Sequence, residues 1–341
     1  RLEEEVCCLS RTNSKGARAR DPMVMMYNAR SLVGFLVLIL LTVLVVRKPH
    51  RAGPDAIHLR GSRDSKPMPR VGFGTCCRQS AKGEPLVQST LEYVAAGGRL
   101  IDTAQMYDNH RNVAVAIARS GIPRQHLWIT SKVRTIDTAL TREGTVAEAD
   151  RILAELGLEY VDLLLLHHAK GNNASQRAEQ WRALLDVARA GNARNVGVSN
   201  YNVHQLKALE SATGVLPAVV QLEFHPWVGQ AERDVVHFCQ KNDVAVTVYG
   251  SLGSSANRAR VGQGVAKVAE RHGVSSAALL LRWALLHHGV AVIPGATSKE
   301  HILENLQARQ LRFKLSAEDM ALIAGDARPP EWKLWPNMGK G

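Results

Sequence analysis

Short β-branched or apolar runs alternate with longer amphipathic stretches along the chain from about residue 68 onward. Apolar runs of this length are typical of buried strands, and the helical spacing of apolar residues between them is typical of helices packed on a core. The predicted strands are 70–73, 99–102, 127–132, 161–166, 194–199, 218–223, 244–249 and 289–293. The predicted helices are 86–96, 113–120, 145–156, 179–190, 204–212, 233–241, 261–271, 276–286 and 301–307.

This alternation indicates parallel strands joined by crossover helices. Eight strand–helix units in roughly 250 residues predict a closed (β/α)8 TIM barrel, which we place at residues 67–325. A doubly wound open sheet is the alternative, but no GxGxxG follows the first strand, where Gly72 and Gly74 supply only GxG. Residues 326–341 form a C-terminal tail, in which Trp332 and Trp335 either cover a pocket or anchor the tail by packing.

An uncharged apolar segment at residues 31–46 lies between basic flanks and predicts a short transmembrane helix that acts as a signal anchor. A cleaved signal peptide is the competing interpretation, but no small-residue cleavage site follows the segment. We therefore expect a basic tail at residues 1–30, a single-pass membrane anchor, and a polar linker at residues 47–66.

The orientation of this anchor depends on where translation starts. If it starts among Met23, Met25 and Met26, the basic residues concentrate after the helix, and the positive-inside rule places the barrel on the cytosolic side. If residues 1–22 are translated, their own basic side chains restore the balance, and a luminal barrel becomes the alternative.

The formal net charge of +12 does not alter the predicted barrel and membrane anchor, because half of the charge lies in residues 1–66. A membrane flank explains that density better than nucleic-acid binding, since no helix or aromatic-rich surface motif accompanies the charges. The five cysteines form two adjacent pairs and a single, without CxxC spacing. We expect reduced thiols and no metal site.

Four polar residues follow three successive predicted strands. Asp102 and Tyr107 lie five positions apart at the end of one strand, Lys132 ends the next, and His167 follows the third. Because the carboxyl ends of parallel strands meet at one face of a barrel, the four side chains are expected to form one active site. Three of them also have a purely structural alternative: Asp102 as a strand-end cap, Lys132 as a solvated loop residue and His167 as a core histidine with its hydrogen bonds satisfied. A lysine held by Asp102 would lower the phenol pKa, ordinarily about 10.

With these residues and their neighbours, residues 68–313 resemble the aldo-keto reductase family of NADP-dependent oxidoreductases. The order and spacing of the motifs together are specific, although each alone is modest. The motifs are Met68-Pro69-Arg70-Val71-Gly72-Phe73-Gly74-Thr75, Ile101-Asp102-Thr103-Ala104-Gln105-Met106-Tyr107, Ser131-Lys132-Val133, Asp162-Leu163-Leu164-Leu165-Leu166-His167, Gly197-Val198-Ser199-Asn200-Tyr201, Val220-Gln221-Leu222-Glu223-Phe224-His225-Pro226 and Ile293-Pro294.

The resemblance implies reduction of an aldehyde or ketone to an alcohol by NAD(P)H. Tyr107 would donate the proton while hydride comes from the nicotinamide, with Asp102 and Lys132 supporting the phenol and His167 orienting the carbonyl. The alternative function is an NADP-binding regulatory subunit of a membrane protein, which some similar barrels serve. The intact set of four residues favours chemistry, and no acid/base pair for a different barrel enzyme, such as a phosphate-substrate lyase, stands out.

The resemblance also implies a cofactor site. Ser199, Asn200 and Gln221 would bind the nicotinamide carboxamide, and Tyr249 would stack on its ring. A plain helix cap before Val203 is the alternative role of the first two. The further cofactor residues implied are Gly74, Thr75, Gly250, Ser251, Leu252, Gly295, Ala296, Thr297, Ser298, Glu304 and Asn305.

Several positions depart from the family pattern. Gly295, Ala296 and His301 stand where many members carry the Lys-Ser and Arg that bind the 2′-phosphate of NADP. Lys299 and nearby hydroxyl groups are able to replace them, so we expect NADPH, with NADH as the alternative.

The expected substrate-binding positions depart as well. Cys76 and His168 replace two common tryptophans, which predicts a wider and less apolar pocket for the carbonyl substrate. His110 replaces an acidic residue that often follows the Tyr-x-Asn sequence.

Overall fold

The computed structural model describes residues 55–62, 64–77, 80–135, 141–253, 262–287 and 290–326. The predicted basic tail and membrane anchor, most of the linker, and residues 327–341 with Trp332 and Trp335 lie outside these ranges, so the expectations about them stay predictions. Within the described ranges, no helix combines the length and apolarity needed to cross a membrane.

Eight parallel strands form the central sheet, and each pairs with its neighbours in chain order. They are β3 (Gly72–Gly74), β4 (Leu100–Asp102), β5 (Trp128–Val133), β6 (Val161–Leu166), β7 (Ala193–Ser199), β8 (Val219–Glu223), β9 (Ala245–Tyr249) and β10 (Ala291–Val292). Two short strands, β1 (Ala56–Ile57) and β2 (Met68–Pro69), precede them and pair antiparallel. The predicted strands are all present, with ends that differ by a few residues.

A parallel bridge between Val71 and Val292 joins the first strand to the last and closes the sheet. The predicted (β/α)8 barrel is therefore confirmed. Gly74 lies at this seam, where its amide donates to the carbonyl of Pro294 at 3.1 Å. A Cβ atom there would stand 2.6 Å from the carbonyl oxygen of Ile293, so only glycine fits without moving the backbone.

The helices follow the strands around the barrel. They are α1 (Gly83–Ala95), α2 (His110–Arg119), α3 (Arg142–Leu156), α4 (Ala174–Ala190), α5 (Val203–Thr213), α6 (Gln230–Lys241), α7 (Gln263–Arg271), α8 (Ser276–His287), α9 (Lys299–Gln307) and α10 (Ala317–Gly325). Helix α10 was not predicted. Its capping box, in which Ser316 and Asp319 bond reciprocally to each other's backbone amides, was the available signal.

Alternate residues of the strands face two different cores. In β6, Leu164 and Leu166 belong to the large cluster between the sheet and the helices, which includes Trp181. Leu163 and Leu165 point the other way, into a smaller cluster inside the barrel that includes Trp128. Because both faces of each strand are buried, the barrel is a filled scaffold, and its strand ends are held in fixed positions.

Candidate active site

Lys132 lies at the centre of the four predicted catalytic residues. Its ammonium Nζ donates to Asp102 Oδ1 at 2.6 Å, to the Tyr107 hydroxyl at 3.2 Å and to the Thr103 carbonyl at 3.0 Å. The lysine side chain is completely buried. An ammonium has three donors, and all three are used here, so the group has one defined position.

The surroundings of Lys132 favour its charged form. Burial alone would lower the pKa of the lysine, but Asp102 and Tyr107 together raise it above its ordinary value. The second oxygen of Asp102 accepts a hydrogen bond from the Gln221 side chain at 2.8 Å. The structure therefore places Gln221 on the carboxylate that holds the lysine.

Tyr107 ends a 3-10 turn, Gln105–Tyr107, that follows β4 directly. Burial raises the pKa of its phenol, Lys132 lowers it, and Asp102 raises it again, with a net shift upward from the ordinary value. The lysine thus lowers the phenol pKa as predicted, and burial, which is the larger effect, raises it. The phenol consequently keeps its proton at neutral pH.

The rings of His167 and His168 continue the site beside Tyr107. The Tyr107 and His167 ring centroids lie 5.6 Å apart with an edge-on angle of 75°, and the two histidine rings stack at 4.2 Å. Burial, with the positive charge of Lys132, places the pKa of His167 well below its ordinary value and lowers that of His168 to about 4. Both imidazoles are therefore neutral at pH 7. His167 Nδ1 is buried without a hydrogen-bond partner in the described part of the chain.

Asn200 connects the ends of three strands. Its Nδ2 donates to the His167 carbonyl at 3.0 Å and lies 3.1 Å from His168 Nδ1, and its Oδ1 accepts from the Tyr249 hydroxyl at 2.7 Å. Ser199 accepts a further bond from Asn200. The alternative role of these two residues as a helix cap was wrong, because Asn202 caps α5.

A second region lies beyond the ends of β9 and β10. A cavity of about 270 Å³ is lined by Leu252, Ser275, Ser276, Ala277, Leu280, His301, Glu304 and Asn305. Helix α8 begins at Ser276 and α9 begins at Lys299, where Ser298 accepts a bond from the His301 amide. Helix N-termini attract anions because their backbone amides are unpaired and their dipole is positive.

The structure thus gathers only some of the predicted cofactor residues at this cavity, namely Leu252, Glu304 and Asn305. The others lie at the ends of the strands: Gly74 and Thr75 at β3, Gly250 and Ser251 after β9, and Gly295, Ala296, Thr297 and Ser298 between β10 and α9. Ser275 and Ser276 also line the cavity, but they were not among the predicted cofactor residues. Two serines before a helical run are an N-terminal signal, which could have indicated them.

Comparison with known proteins decides the family. The model of the aldo/keto reductase family matches residues 71–325. The chain belongs to this family. It is 37% identical to an aldo-keto reductase of Mycolicibacterium smegmatis over 262 residues, covering 77% of this chain and 88% of the relative. It is 34% identical to a glyoxal reductase of Bacillus subtilis, covering 79% and 92%.

The fold of a relative with a solved structure is similar to that of this chain. The crystal structure of a Bombyx mori aldo-keto reductase in complex with NADP superposes with a TM-score of 0.69 at 28% identity, covering 84% of this chain and 98% of that one. Family membership and the reductase relatives identify the chain as an oxidoreductase.

In this aldo/keto reductase the two expected pocket positions have unlike surroundings. His168 is buried in the network described above, whereas Cys76 is half-buried just after β3 and is followed by the exposed Cys77. The expectation of reduced thiols stays a prediction for Cys76 and Cys77, and Cys239 is a buried free thiol.

His110, which also departs from the family pattern, is part of a buried chain of polar groups. Its Nδ1 lies 2.7 Å from Glu155 Oε2 and its Nε2 lies 2.9 Å from Ser131 Oγ. Ser131 directly precedes Lys132 in β5. His110 therefore supports the strand that carries the lysine.

Proposed function

We propose that the chain reduces an aldehyde or ketone to an alcohol with NAD(P)H, and that Tyr107 donates the proton to the carbonyl oxygen. One observation carries this proposal: the buried ammonium of Lys132 contacts both the Asp102 carboxylate and the Tyr107 hydroxyl. A protonated phenol beside a fixed positive charge is suited to give up its proton when negative charge develops on a bound oxygen.

The neighbours of Tyr107 have separate tasks in this reaction. When the proton leaves, the phenolate stays 3.2 Å from the lysine, which stabilises it. Asp102, held by Gln221, keeps the lysine in place. Neutral His167 orients the carbonyl by hydrogen bonding, and its low pKa leaves Tyr107 as the acid at neutral pH.

The residues present fit a nicotinamide dinucleotide. The unpartnered Nδ1 of His167 marks a polar position inside the site, and the cavity between α8 and α9 combines apolar walls with two helix N-termini. Ser199, Asn200 and Tyr249 would hold the nicotinamide end, and the cavity would hold the adenosine end. When bound, the reduced nicotinamide supplies the hydride.

We favour NADPH over NADH at this site. Lys299 starts α9, the hydroxyl groups of Thr297 and Ser298 precede it, and His301 lines the cavity. A point charge with hydroxyl groups at a helix N-terminus suits a phosphate. The NADP of the Bombyx mori relative supports the same choice. Equal affinity for NADH and NADPH in a fluorescence titration would contradict it.

For the substrate we propose a small polar carbonyl compound. His168 contributes an imidazole where an aromatic wall is common, and its stacking on His167 places a polar ring beside the reacting position. The similarity to a glyoxal reductase supports this class.

The experiment that tests the function uses the purified protein with NADPH and glyoxal, followed by loss of nicotinamide absorbance. The wild-type chain should turn over, and Tyr107→Phe should reduce kcat roughly 100- to 10,000-fold, the range expected for loss of a general acid. NADPH binding, measured by fluorescence, should be unchanged in the variant. Undiminished turnover would contradict the role of Tyr107. Tight NADPH binding without turnover of any carbonyl in a broad panel would favour the regulatory alternative.

A further inference from the structure

Helix α8 carries a buried arginine, Arg282, whose guanidinium has few partners. The residue is only 9% exposed. Its Nη2 donates to the Phe313 carbonyl at 3.4 Å, and its Nε is buried without a hydrogen-bond partner in the described part of the chain. A guanidinium has five N–H donors and keeps its charge in proteins. Because a buried charge without a partner is costly, this side chain lacks a ligand that would satisfy it.

The charged neighbours of Arg282 are also arginines. Burial, followed by the positive charges of Arg312 and Arg70, lowers the pKa of Arg282 below its ordinary value. Neither Arg282 nor Arg312 forms an ion pair with a carboxylate anywhere in the described ranges. The three residues form an arginine cluster in which like charges face one another.

Arg70 is the balanced member of this arginine cluster. Its Nε donates to the Val290 carbonyl at 3.4 Å, and its Nη2 donates to the carbonyl of Leu285 in the last turn of α8. The carboxyl end of a helix is negative and attracts a cation. Burial lowers the pKa of Arg70, and the Asp55 carboxylate acts against that effect. Two positive charges, on Arg282 and Arg312, are therefore left without a countercharge.

The buried carboxylate of the neighbouring helix α10 is used elsewhere. Asp319 pairs with Arg271 at 3.2 Å and lies 3.1 Å from His272 Nε2. The His272 ring in turn stacks on the Phe313 ring, with centroids 4.3 Å apart. This contact and the bond from Arg282 to the Phe313 carbonyl hold the segment that carries Arg312 in place.

The arginine cluster is separate from the proposed active site. Arg70 lies two residues before β3 begins, and its partners Leu285 and Val290 lie in the last turn of α8 and directly before β10. The cluster is thus at the amino end of the barrel strands, whereas the proposed chemistry is at the carboxyl end. The residues that line the cavity between α8 and α9 include no arginine.

We propose that Arg282 and Arg312, beside Arg70, form a binding site for a phosphate dianion, either free or as part of a phosphate monoester. A dianion matches the two uncompensated charges, and the N–H groups of a guanidinium suit the spacing of phosphate oxygens. Arg282 supplies a buried donor in a fixed position, and the exposed Arg312 completes the site from the solvent side. The bound oxyanion is the acceptor that Arg282 Nε lacks.

Calorimetric titration of the whole protein tests the site. Inorganic phosphate and glycerol 3-phosphate are titrated separately at constant ionic strength and about pH 8, above the second pKa of a phosphate monoester, which is about 6. Arg282→Met and Arg312→Gln should each weaken binding roughly tenfold or more, because each removes charge-assisted hydrogen bonds. Arg189→Gln removes an exposed arginine on α4 and should bind as the wild type does. Phosphate that binds in the cavity between α8 and α9 would bind equally to all four proteins.

Thermal unfolding provides a second measurement, in which the exposed position of Arg312 avoids a variant that fails to fold. The melting temperature of the wild type should rise with phosphate concentration, because a ligand of the folded form stabilises it. Arg312→Glu should melt at a higher temperature than the wild type in phosphate-free buffer, since Arg282 gains a countercharge, and should lose the response to phosphate.

The outcomes are distinct. Binding of inorganic phosphate alone would assign the site to the free ion, and binding of glycerol 3-phosphate alone would assign it to a monoester. Absence of binding for both compounds, or affinities in Arg282→Met and Arg312→Gln equal to that of the wild type, would overturn the proposal. Neither measurement involves turnover, so the result does not depend on the proposed function.

Discussion

Lys132 illustrates how a single buried charge depends on its partners. The lysine is stable in the core because it contacts a carboxylate, a phenol and a carbonyl within hydrogen-bonding distance. Removing one partner of a buried ion pair leaves the other charge uncompensated, which commonly costs about 3–5 kcal/mol. The same lysine is the group that would stabilise the phenolate, so structural and catalytic effects of a substitution must be separated.

Two variants separate them. Lys132→Met should lose most turnover and also lower the free energy of unfolding by about 3–5 kcal/mol, because Asp102 stays buried without a countercharge. The double variant with Asp102→Asn and Lys132→Met should recover part of that stability, since no charge is left unpaired, but should stay inactive. Urea unfolding and NADPH consumption measure the two effects. Recovery of turnover in the double variant would show that Lys132 has only a structural role.

At the scale of elements, the seam between β3 and β10 is the most sensitive junction. Gly74→Ala would place a methyl group 2.6 Å from the carbonyl of Ile293, and overpacking of this kind costs about 1–3 kcal/mol. We expect a lower urea midpoint for this variant. Gly325→Ala is the matched control, because its Cβ meets no atom within 4 Å, and it should be neutral or slightly stabilising. Equal midpoints for the two variants would contradict a tight seam.

The elements also show what sequence predicts and where it stops. Alternating apolar runs located all eight barrel strands, and the polar residues at the ends of β4, β5 and β6 came together because parallel strands end at one face. The residues that line the cavity were less predictable, since Ser276 and His301 come to the same cavity only through the packing of α8 against α9. The upward pKa shift of Tyr107 likewise depends on burial by several elements together.

At the scale of the whole molecule, the two ends of the barrel have different tasks. At the amino end of the strands, Asp162 is buried and bonds to Lys66 at 2.6 Å, Arg124 at 2.7 Å and the Ile129 amide at 2.8 Å. These residues lie away from the proposed chemistry, which is at the carboxyl end. In barrels of this type, the amino end contributes stability and the carboxyl end activity.

This division predicts the effect of changing Asp162. Asp162→Ala should lower the free energy of unfolding by about 3–5 kcal/mol, because Lys66 and Arg124 lose their buried partner. The kcat of the folded variant should stay near the wild-type value at temperatures well below its melting point. Asp162→Asn should lie between the two in stability, since an amide oxygen can still accept from Ile129. A large loss of kcat in folded Asp162→Ala would contradict the separation of the two ends.

The buried histidines predict how the whole fold responds to acid. Burial lowers the pKa of His168 to about 4, and those of His110 and His167 shift in the same direction. Above pH 6.5, the ordinary value, neither the folded nor the unfolded form protonates these groups, so they do not affect stability. Between pH 6.5 and 4 the unfolded chain binds protons that the folded chain does not, so the free energy of unfolding decreases as the pH is lowered through this range.

For His168 alone this window corresponds to a loss of the order of 3 kcal/mol. His168→Leu should therefore unfold with a shallower dependence on pH across the window, by about 1.4 kcal/mol per pH unit. Urea unfolding at several pH values measures the slope, and the same experiment on His126→Leu, which removes an exposed histidine, is the control. If His168→Leu keeps the wild-type slope, His168 must titrate in the folded protein much as it does in the unfolded chain. Its imidazole would then be charged in mild acid while stacked on His167, and the neutral histidine pair that leaves Tyr107 as the acid would be lost there.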